Sequence, residues 1–399
     1  MDNEQRIRVG ITHGDTNGVG YEVIMKTFAE PTIYELCTPI VYGNPKVMAF
    51  HRKAMEQTVN YSTINDASEA RPDRLNLVAV QDEEVKVDFG KPAPEAGQAA
   101  LEALERALAD YRDGKIDVLV TAPINKATIQ SESFHFPGHT EYIQDRVGEG
   151  NEALMILMND RIRVALVTTH MPISRVAGAI TEDGIVGKLR TFNQSLKRDF
   201  NINMPRIAVL ALNPHAGDNG LLGHEENTII KPAMETATQE GIRCFGPFAA
   251  DGFFGARTYE HYDGVLAMYH DQGLTAFKTI AMDDGVNFTA GLPIVRTSPD
   301  HGTAYDIAGQ GRADENSFRQ AIFTAIDVWR NRGFYDEALA QPLEKLYHER
   351  REDDRRGPFM PRRDKPQASA ERTPSGGNTD GQKPANVDSP ASVDQPANE

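Results

Sequence analysis

The chain has 399 residues, of which 40% are hydrophobic and 25% are charged, and its formal net charge is -16. This is the composition of an ordinary globular protein that can form a sizeable core, and the length predicts two or three domains. The acidic balance argues against a protein that binds nucleic acid or anionic lipid through a basic surface, so we expect neither partner.

The start of the chain and its cysteines indicate a cytoplasmic protein. The first six residues are polar and lead directly into a strand-like segment, and no apolar run reaches the roughly 18 residues of a membrane helix. Cys37 and Cys244 have no metal-ligand spacing and are too few for a disulfide framework. We expect two structural thiols in a reducing compartment.

Short apolar runs alternate with helix-length amphipathic segments along most of the chain. Buried strands are predicted at residues 7–11, 39–42, 75–80, 118–121, 154–158, 164–168, 207–212 and 264–268. Helices are predicted at residues 95–112, 187–200, 225–240 and 318–331, and in the first of them apolar residues recur at spacings of three and four. Such alternation predicts an α/β fold with a mainly parallel sheet.

Polar motifs follow several of these strands, which is typical of sites at the carboxyl ends of parallel strands. Residues 11–20 read Ile-Thr-His-Gly-Asp-Thr-Asn-Gly-Val-Gly, and their glycines permit a tight turn that could present an anion to a helix N-terminus. This opening loop is not the GxGxxG fingerprint, and a plain strand-to-helix turn explains it about as well. Residues 121–126 form another strand-end segment, which carries Lys126.

Three histidines each follow an apolar strand: His170, His215 and His270. A single histidine at such a place more often caps a strand or bonds a loop. Neutral imidazoles from several strand ends can, however, converge on one divalent cation and leave coordination positions open for substrate oxygens. The repeated placement therefore favours a metal site.

Other segments carry groups suited to an anionic substrate. A Pro-Gly turn precedes a histidine and a threonine, and a lysine, an asparagine and an arginine lie further along the chain. Lysine and arginine are natural partners of carboxylate and phosphate, although each one singly is more often a surface charge. The residues concerned are His139, Thr140, Lys278, Asn287 and Arg296.

The composition changes near residue 350. From there to residue 399 Pro, Ser, Gln, Asn, Asp and Arg predominate, after a mixed-charge run at 349–356 that we interpret as a solvated helix end and linker. Such a segment buries too little apolar surface to offset its ordering entropy. We expect a disordered tail whose removal leaves turnover and thermal midpoint nearly unchanged.

In order and spacing, the motifs over residues 7–330 resemble the signature series of 4-hydroxythreonine-4-phosphate dehydrogenases, including Tyr-His-Asp-Gln-Gly at residues 269–273. The resemblance implies a homodimer with its active site at the subunit interface. It implies a divalent metal (Zn, Mg, Co or Mn) on His170, His215 and His270, with ligands drawn from both subunits. It also implies that substrate is bound by His139, Thr140, Lys278, Asn287 and Arg296.

Residues 300–311 resemble the nucleotide-binding loop of isopropylmalate and isocitrate dehydrogenases, which bind NAD(P) without a GxGxxG fingerprint. This likeness implies a two-domain, three-layer α/β/α fold. A Gly-rich loop before a helix remains the structural alternative for any single residue. The likeness places these residues near the cofactor, NAD or NADP: His301, Gly302, Thr303, Ala304 and Asp306.

The metal motifs cluster in the middle of the chain and the cofactor loop lies late. We therefore expect a first domain of residues 1–133 plus 285–349, a second of residues 134–284, and an active cleft between them. Hydride transfer requires near contact, so His301 should lie within about 25 Å of a metal histidine.

The implied reaction is oxidation of 4-phosphohydroxy-L-threonine, followed by decarboxylation, in the biosynthesis of pyridoxal phosphate. A metal would lower the pKa of the substrate hydroxyl and stabilise the enolate, and Asp251 and Lys278 are candidates for the base.

One departure from the family pattern bears on specificity. The family's opening loop usually reads Gly-Asp/Glu-Pro-Ala-Gly-Ile-Gly-Pro-Glu, whereas Thr16, Asn17 and Tyr21 replace both prolines and the alanine here. A paralogous D-threonate or D-erythronate 4-phosphate dehydrogenase remains an alternative, as does a non-catalytic binding protein on the same fold. A metal-free phosphotransferase is disfavoured because no Walker loop is present.

Overall fold

The structure is a computed structural model that describes residues 6–80, 85–131 and 134–340. The predicted tail and the 341–349 part of the first predicted domain lie outside the described residues. None of the described helices is both long and apolar enough to cross a membrane.

Twelve strands and ten α-helices alternate along the described chain. The strands are β1 (Ile7–Thr12), β2 (Cys37–Gly43), β3 (Tyr61–Ile64), β4 (Leu75–Ala79), β5 (Val118–Thr121), β6 (Leu154–Met158), β7 (Arg163–Leu166), β8 (Ile207–Leu210), β9 (Cys244–Phe248), β10 (Gly264–Ala267), β11 (Val286–Ala290) and β12 (Val295–Pro299). The helices are α1 (Gly20–Thr27), α2 (Pro45–Ala54), α3 (Pro94–Arg112), α4 (His139–Val147), α5 (Ile173–Ala179), α6 (Glu182–Arg198), α7 (Lys231–Gln239), α8 (Ala250–Gly255), α9 (His270–Ile280) and α10 (Asn316–Ala340).

All the strands belong to one sheet, in the order β3-β4-β2-β1-β5-β12-β11-β6-β7-β10-β8-β9. The pairings β12–β11, β11–β6 and β6–β7 are antiparallel, and the other pairings are parallel. The sheet is therefore mainly parallel, as predicted. The antiparallel centre reverses the direction of β7, β10, β8 and β9 relative to β1–β5 and β12. The three strands that precede the histidines, β7, β8 and β10, thus run in one direction, opposite to that of β1 and β5.

Helices cover both faces of the sheet because strand side chains alternate between the faces. Val118 and Val120 of β5 pack in a core cluster with residues of α1 and α10, whereas the intervening Leu119 packs with residues of α3. In the half of the sheet that contains β7, Ala165 packs with α6 on one face and Val164 packs with α9 on the other. This is the predicted three-layer α/β/α arrangement.

All eight predicted strands and all four predicted helices have counterparts in the structure. The bounds of β5 and β6 are as predicted, and the other elements have shifted ends. The 225–240 segment begins as a π-helix, Glu226–Ile230, before α7. The strands β3, β9, β11 and β12 were not predicted, because their sequences are polar or contain proline. In the sheet, β12 and β11 lie between the strands of residues 1–133 and those of residues 134–284. The division into two domains stays a prediction.

Candidate active site

Arg296 on β12 is a buried cation, 3% exposed. Its Nη2 and Nε donate to Thr121 Oγ1 at 2.6 and 3.2 Å, and Nη1 donates to Thr289 Oγ1 at 3.3 Å. Burial lowers the pKa of Arg296 to about 10, yet the group remains charged at neutral pH. No carboxylate among the described residues bonds to it, although the nearby charge of Glu141 acts against this lowering of the pKa. Burying a charge without a directly bonded counter-ion is unfavourable, so this position suits an incoming anion.

His139 is the first residue of α4 and lies against that arginine, with Nδ1 3.4 Å from Nη2 of Arg296. Burial, together with the charges of Arg296 and Lys126, lowers the pKa of His139 well below its usual value. The imidazole is therefore neutral at physiological pH. Its Nδ1 can accept a hydrogen bond from Arg296, and the two side chains do not repel each other. Thr140 follows it, half-buried, in the first turn of the same helix, where the helix dipole also favours an anion.

Asn287 on β11 adds a buried acceptor to this region. Thr289 pairs with Arg296 across the β11–β12 ladder, and Asn287 lies two residues before Thr289, on the same face of the sheet. The Oδ1 atom of Asn287 is buried, and none of the described residues bonds to it. A buried, unpartnered acceptor is unfavourable unless a ligand supplies the donor.

The two candidate bases differ in placement. Lys278 on α9 is half-exposed, and its Nζ lies 2.9 Å from both Oδ2 and the carbonyl oxygen of Asp300, directly before the cofactor loop. Burial raises the pKa of Asp300 despite this pairing. Asp251 is exposed in the first turn of α8, and no hydrogen bond or ion pair among the described residues links it to the other predicted site residues.

The rings of His170 and His270 lie close together, with centroids 6.0 Å apart. Nδ1 of His270 lies 2.7 Å from Oδ1 of Asp271. Because a carboxylate only accepts, this bond places the imidazole proton on Nδ1 and leaves the Nε2 lone pair free, as in carboxylate–histidine–metal arrangements. A cavity of about 450 Å³ opens beside both rings, lined also by Tyr269 and Ile173.

Two residues that the sequence did not assign to the site contact His170. Lys126 Nζ lies 3.3 Å from Nε2 of His170, and Oε1 of Glu141 lies 3.9 Å from Nδ1. A lysine ammonium only donates, so Nε2 of His170 presents its lone pair to Lys126. The neighbouring His170 and the charge of Lys126 lower the pKa of Glu141 despite its partial burial. Lys126 occupies a recognisable strand-end segment, whereas no local signal marks Glu141.

His215 is exposed on the turn Pro214–Gly220, which follows β8. Within the part of the chain that the structure describes, no group of three His, Cys, Asp or Glu side chains is placed to hold a metal ion. The Nε2 lone pair of His270 fits a divalent cation that accepts nitrogen ligands, whereas the Nε2 lone pair of His170 faces Lys126 in this structure. The described residues of one chain do not bring the three histidines together as one ligand set.

The predicted cofactor loop packs against the opening loop. Val19 N donates to the carbonyl oxygen of Thr303 at 3.1 Å, and Tyr305 Oη donates to Asp15 Oδ2 at 2.7 Å. A Cβ atom at Gly18 would lie 2.8 Å from the Thr303 oxygen, so glycine is needed for this approach. The opening loop thus supports residues 301–306, a role that its own sequence did not reveal.

The five predicted cofactor residues line this loop. Burial lowers the pKa of His301, and its Nε2 has no hydrogen-bond partner in the part of the chain that the structure describes. Gly302 and Asp306 are exposed, Thr303 is half-buried, and Ala304 has a left-handed backbone with φ 46°. An unpartnered imidazole nitrogen beside exposed backbone is suited to a bound ligand.

Comparison with known proteins identifies relatives over most of the chain. A family model described as pyridoxal phosphate biosynthetic protein PdxA matches residues 35–325. A 4-hydroxythreonine-4-phosphate dehydrogenase of Bacteroides thetaiotaomicron is 64% identical over 350 residues, which are 88% of this chain and 96% of that protein. One of Desulfosudis oleivorans is 40% identical over 322 residues, 80% of this chain and 95% of that protein.

Solved structures agree in both fold and sequence. A crystal structure of 4-hydroxythreonine-4-phosphate dehydrogenase from Klebsiella pneumoniae matches with a TM-score of 0.71 and 31% identity, over 82% of this chain and 99% of that chain. One from Burkholderia phymatum matches with a TM-score of 0.68 and 36% identity over the same shares. The family match and these relatives together show that the chain belongs to the PdxA family of pyridoxal phosphate biosynthetic proteins.

Proposed function

We propose that the chain oxidises 4-phosphohydroxy-L-threonine with NAD or NADP and a divalent metal. The product, 2-amino-3-oxo-4-phosphooxybutanoate, then loses carbon dioxide to give 3-amino-2-oxopropyl phosphate for pyridoxal phosphate biosynthesis. The substrate is the one named for relatives such as the 64% identical protein. The observation that carries the proposal is the buried Arg296, because its bonded partners are threonine hydroxyls and a neutral histidine rather than an anion.

The substrate residues have complementary tasks. Arg296 supplies the charge for an anionic group of the substrate, and its planar fork can bind two oxygens at once. His139 and Thr140 complete that anion site from the N-terminus of α4. Asn287 presents an acceptor to a substrate donor group, such as the amine that distinguishes hydroxythreonine phosphate from threonate phosphate.

His170, His215 and His270 would hold the metal, with ligands from both subunits of a homodimer. His301, Gly302, Thr303, Ala304 and Asp306 would hold the cofactor. When bound, the metal lowers the pKa of the substrate hydroxyl and stabilises the charge left by decarboxylation, and the nicotinamide accepts the hydride.

Proton transfer falls to a side chain of the protein. Lys278 is favoured by its position two turns after His270 on α9 and by its contact with Asp300 before the cofactor loop. Asp251 is the second candidate. Its exposed side chain would need a bound substrate or a second subunit to bring it into contact with the reacting atoms.

The test is NAD(P) reduction by purified protein with 4-phosphohydroxythreonine, D-threonate 4-phosphate and D-erythronate 4-phosphate, each with and without chelator. We expect the first substrate to have the highest kcat/KM, and chelator to abolish turnover until Mg, Mn, Co or Zn is restored. Preference for a threonate or erythronate phosphate would identify the paralogous dehydrogenase. Absence of turnover with all three would favour the non-catalytic binding protein, and full activity in chelator would refute the metal assignment.

A further inference from the structure

The turn that carries His215 has an unusual backbone. Six consecutive residues, His215 to Gly220, have positive φ, and only two of them are glycine. The left-handed conformation is unfavourable for residues with a Cβ atom, and such strain persists only where surrounding contacts over-determine it. Side chains on both sides of this turn hold its backbone in place.

Glu226 holds the turn from one side. It is 1% exposed. Its Oε1 accepts hydrogen bonds from Leu212 N at 2.9 Å and Asn213 N at 2.7 Å, and its Oε2 accepts from Asn213 Nδ2 at 3.0 Å. A Cβ atom on Gly217 would lie 2.6 Å from Oε2, so the turn closes over the carboxylate only because glycine is present there. Glu226 also begins the π-helix, a local irregularity that often occurs at functional sites.

Gln272 holds the same backbone from the other side. Its Nε2 donates to the carbonyl oxygen of Ala211 at 2.6 Å, and its Oε1 accepts from Met268 N at 2.8 Å. Ala211 follows β8 and leads to His215, while Met268 follows β10 and leads to His270. The single amide of Gln272 therefore links the two strand ends that precede these histidines.

We propose that Glu226 and Gln272 are positioning residues for His215, and that they set the affinity of the protein for its metal without contacting it. Between them they bond the backbone of residues 211, 212 and 213, which immediately precedes the histidine. The inference depends on the proposed role of His215 as a ligand. It holds whichever subunit supplies the other two ligands, because each chain mounts its own His215 in this way.

Two near-isosteric variants test the proposal. Gln272→Glu keeps an acceptor for Met268 N but turns a carboxylate oxygen toward the Ala211 carbonyl. Glu226→Gln keeps one acceptor but loses the one that Asn213 Nδ2 uses. Matched controls are Gln98→Glu on α3 and Glu235→Gln on α7, which make the same chemical changes at exposed positions.

The measurement is calorimetric titration of the metal-free, full-length protein with Zn²⁺ and with Co²⁺, beside His215→Ala. We expect each test variant to weaken metal binding by about 10- to 100-fold, as is typical when a residue that orients a metal ligand is lost. The controls should bind as the parent does, and the KM for NAD(P) at saturating metal should be unchanged. Near-UV circular dichroism would verify that each variant is folded.

The outcomes separate the inference from the function on which it rests. If His215→Ala itself binds metal as the parent does, the proposed ligand role of His215 is wrong. If His215→Ala loses metal but the folded test variants do not, the positioning role is wrong. Should both test variants fail to fold, Asn213→Ala removes only the side-chain bonds to the acidic pair Glu225 and Glu226. We expect it to weaken metal binding several-fold, and an unchanged affinity would refute the inference.

Discussion

At the scale of single residues, the burial of Arg296 costs stability but suits the binding of an anionic substrate. A buried guanidinium without a directly bonded counter-ion destabilises the substrate-free protein, whereas a bound anion would offset this cost through charge-assisted hydrogen bonds. We expect Arg296→Met to lower kcat/KM by at least about 100-fold, or about 2.7 kcal/mol of transition-state stabilisation. The thermal midpoint of the substrate-free protein should stay equal or rise.

Arg296→Lys is the matched variant, since it keeps the charge but not the fork, and we expect it to recover only part of the activity. Steady-state kinetics and thermal unfolding of both variants measure these effects. A lower thermal midpoint with unchanged kcat/KM would show that the arginine is structural.

Two buried histidines near the opening loop predict a dependence of stability on pH. The rings of His13 and Tyr21 are stacked, and Tyr21 also contacts His51. Burial lowers the pKa of both histidines to about 4. In the unfolded chain they would titrate near 6.5 and bind protons that the folded protein rejects. Their contribution to stability is therefore complete above pH 6.5 and decreases as the pH falls toward 4.

We expect the free energy of unfolding to fall over that interval by up to roughly 3 kcal/mol per histidine, and His51→Gln to remove about half of the decrease. Gln retains a donor for the Thr16 carbonyl that His51 Nε2 contacts at 2.8 Å. Urea unfolding of metal-free protein at pH 7, 5.5 and 4.5 measures this, with His261→Gln as the exposed control. An equal pH dependence in parent and His51→Gln would contradict the assignment.

At the scale of elements, three loops form one support for the predicted cofactor loop. Asn17 accepts from Asp88 N at 2.9 Å and donates to the Lys91 carbonyl at 2.8 Å, so a residue that departs from the family pattern ties the 88–91 segment to the opening loop. Asn125 donates to Tyr305 Oη at 3.1 Å, and Tyr305 in turn donates to Asp15. The phenol thus joins the cofactor loop to both strand-end segments.

Removing that hydroxyl should loosen the cofactor loop specifically. We expect Tyr305→Phe to raise the KM for NAD(P) about tenfold with little change in the KM for substrate, because the substrate residues lie on other elements. The buried Asp15 would lose a partner, at a cost of roughly 1–3 kcal/mol in stability. Tyr34→Phe, which removes a hydroxyl bond to the Phe28 carbonyl far from this loop in sequence, is the control. An unchanged KM for NAD(P) would argue against a cofactor role for residues 301–306.

At the scale of the whole molecule, the metal site tests the proposed homodimer. No set of three ligands forms within the described part of one chain, and we expect the ligands to come from two subunits. His170→Ala, His215→Ala and His270→Ala should each be inactive as homodimers. Two variants can be co-expressed to form a mixed dimer. If their substituted histidines come from different subunits of a site, one of the two sites in that dimer keeps all three ligands.

With two ligands from one subunit and one from its partner, two of the three pairwise mixtures should recover up to half of the parental turnover per mixed dimer. Differently tagged subunits allow the mixed dimers to be purified and assayed. Recovery in none of the mixtures would place all three ligands in one subunit, and a monomer in sedimentation would refute the homodimer itself.

The sequence alone determined the elements and motifs whose signals are local. Apolar runs predicted the eight strands that recur in the structure, because a strand buried on both faces needs few polar residues. The placement of His170 and His270 after such strands predicted their proximity, and the family resemblance named Arg296. Tertiary structure decided what depends on neighbours distant in sequence. The antiparallel centre of the sheet, the contacts of Lys126 and Glu141 with His170, and the bond between Tyr305 and Asp15 join residues that no periodicity connects. The absence of a bonded carboxylate at Arg296 among the described residues belongs with these, because burial and pairing are properties of the packed molecule rather than of any segment.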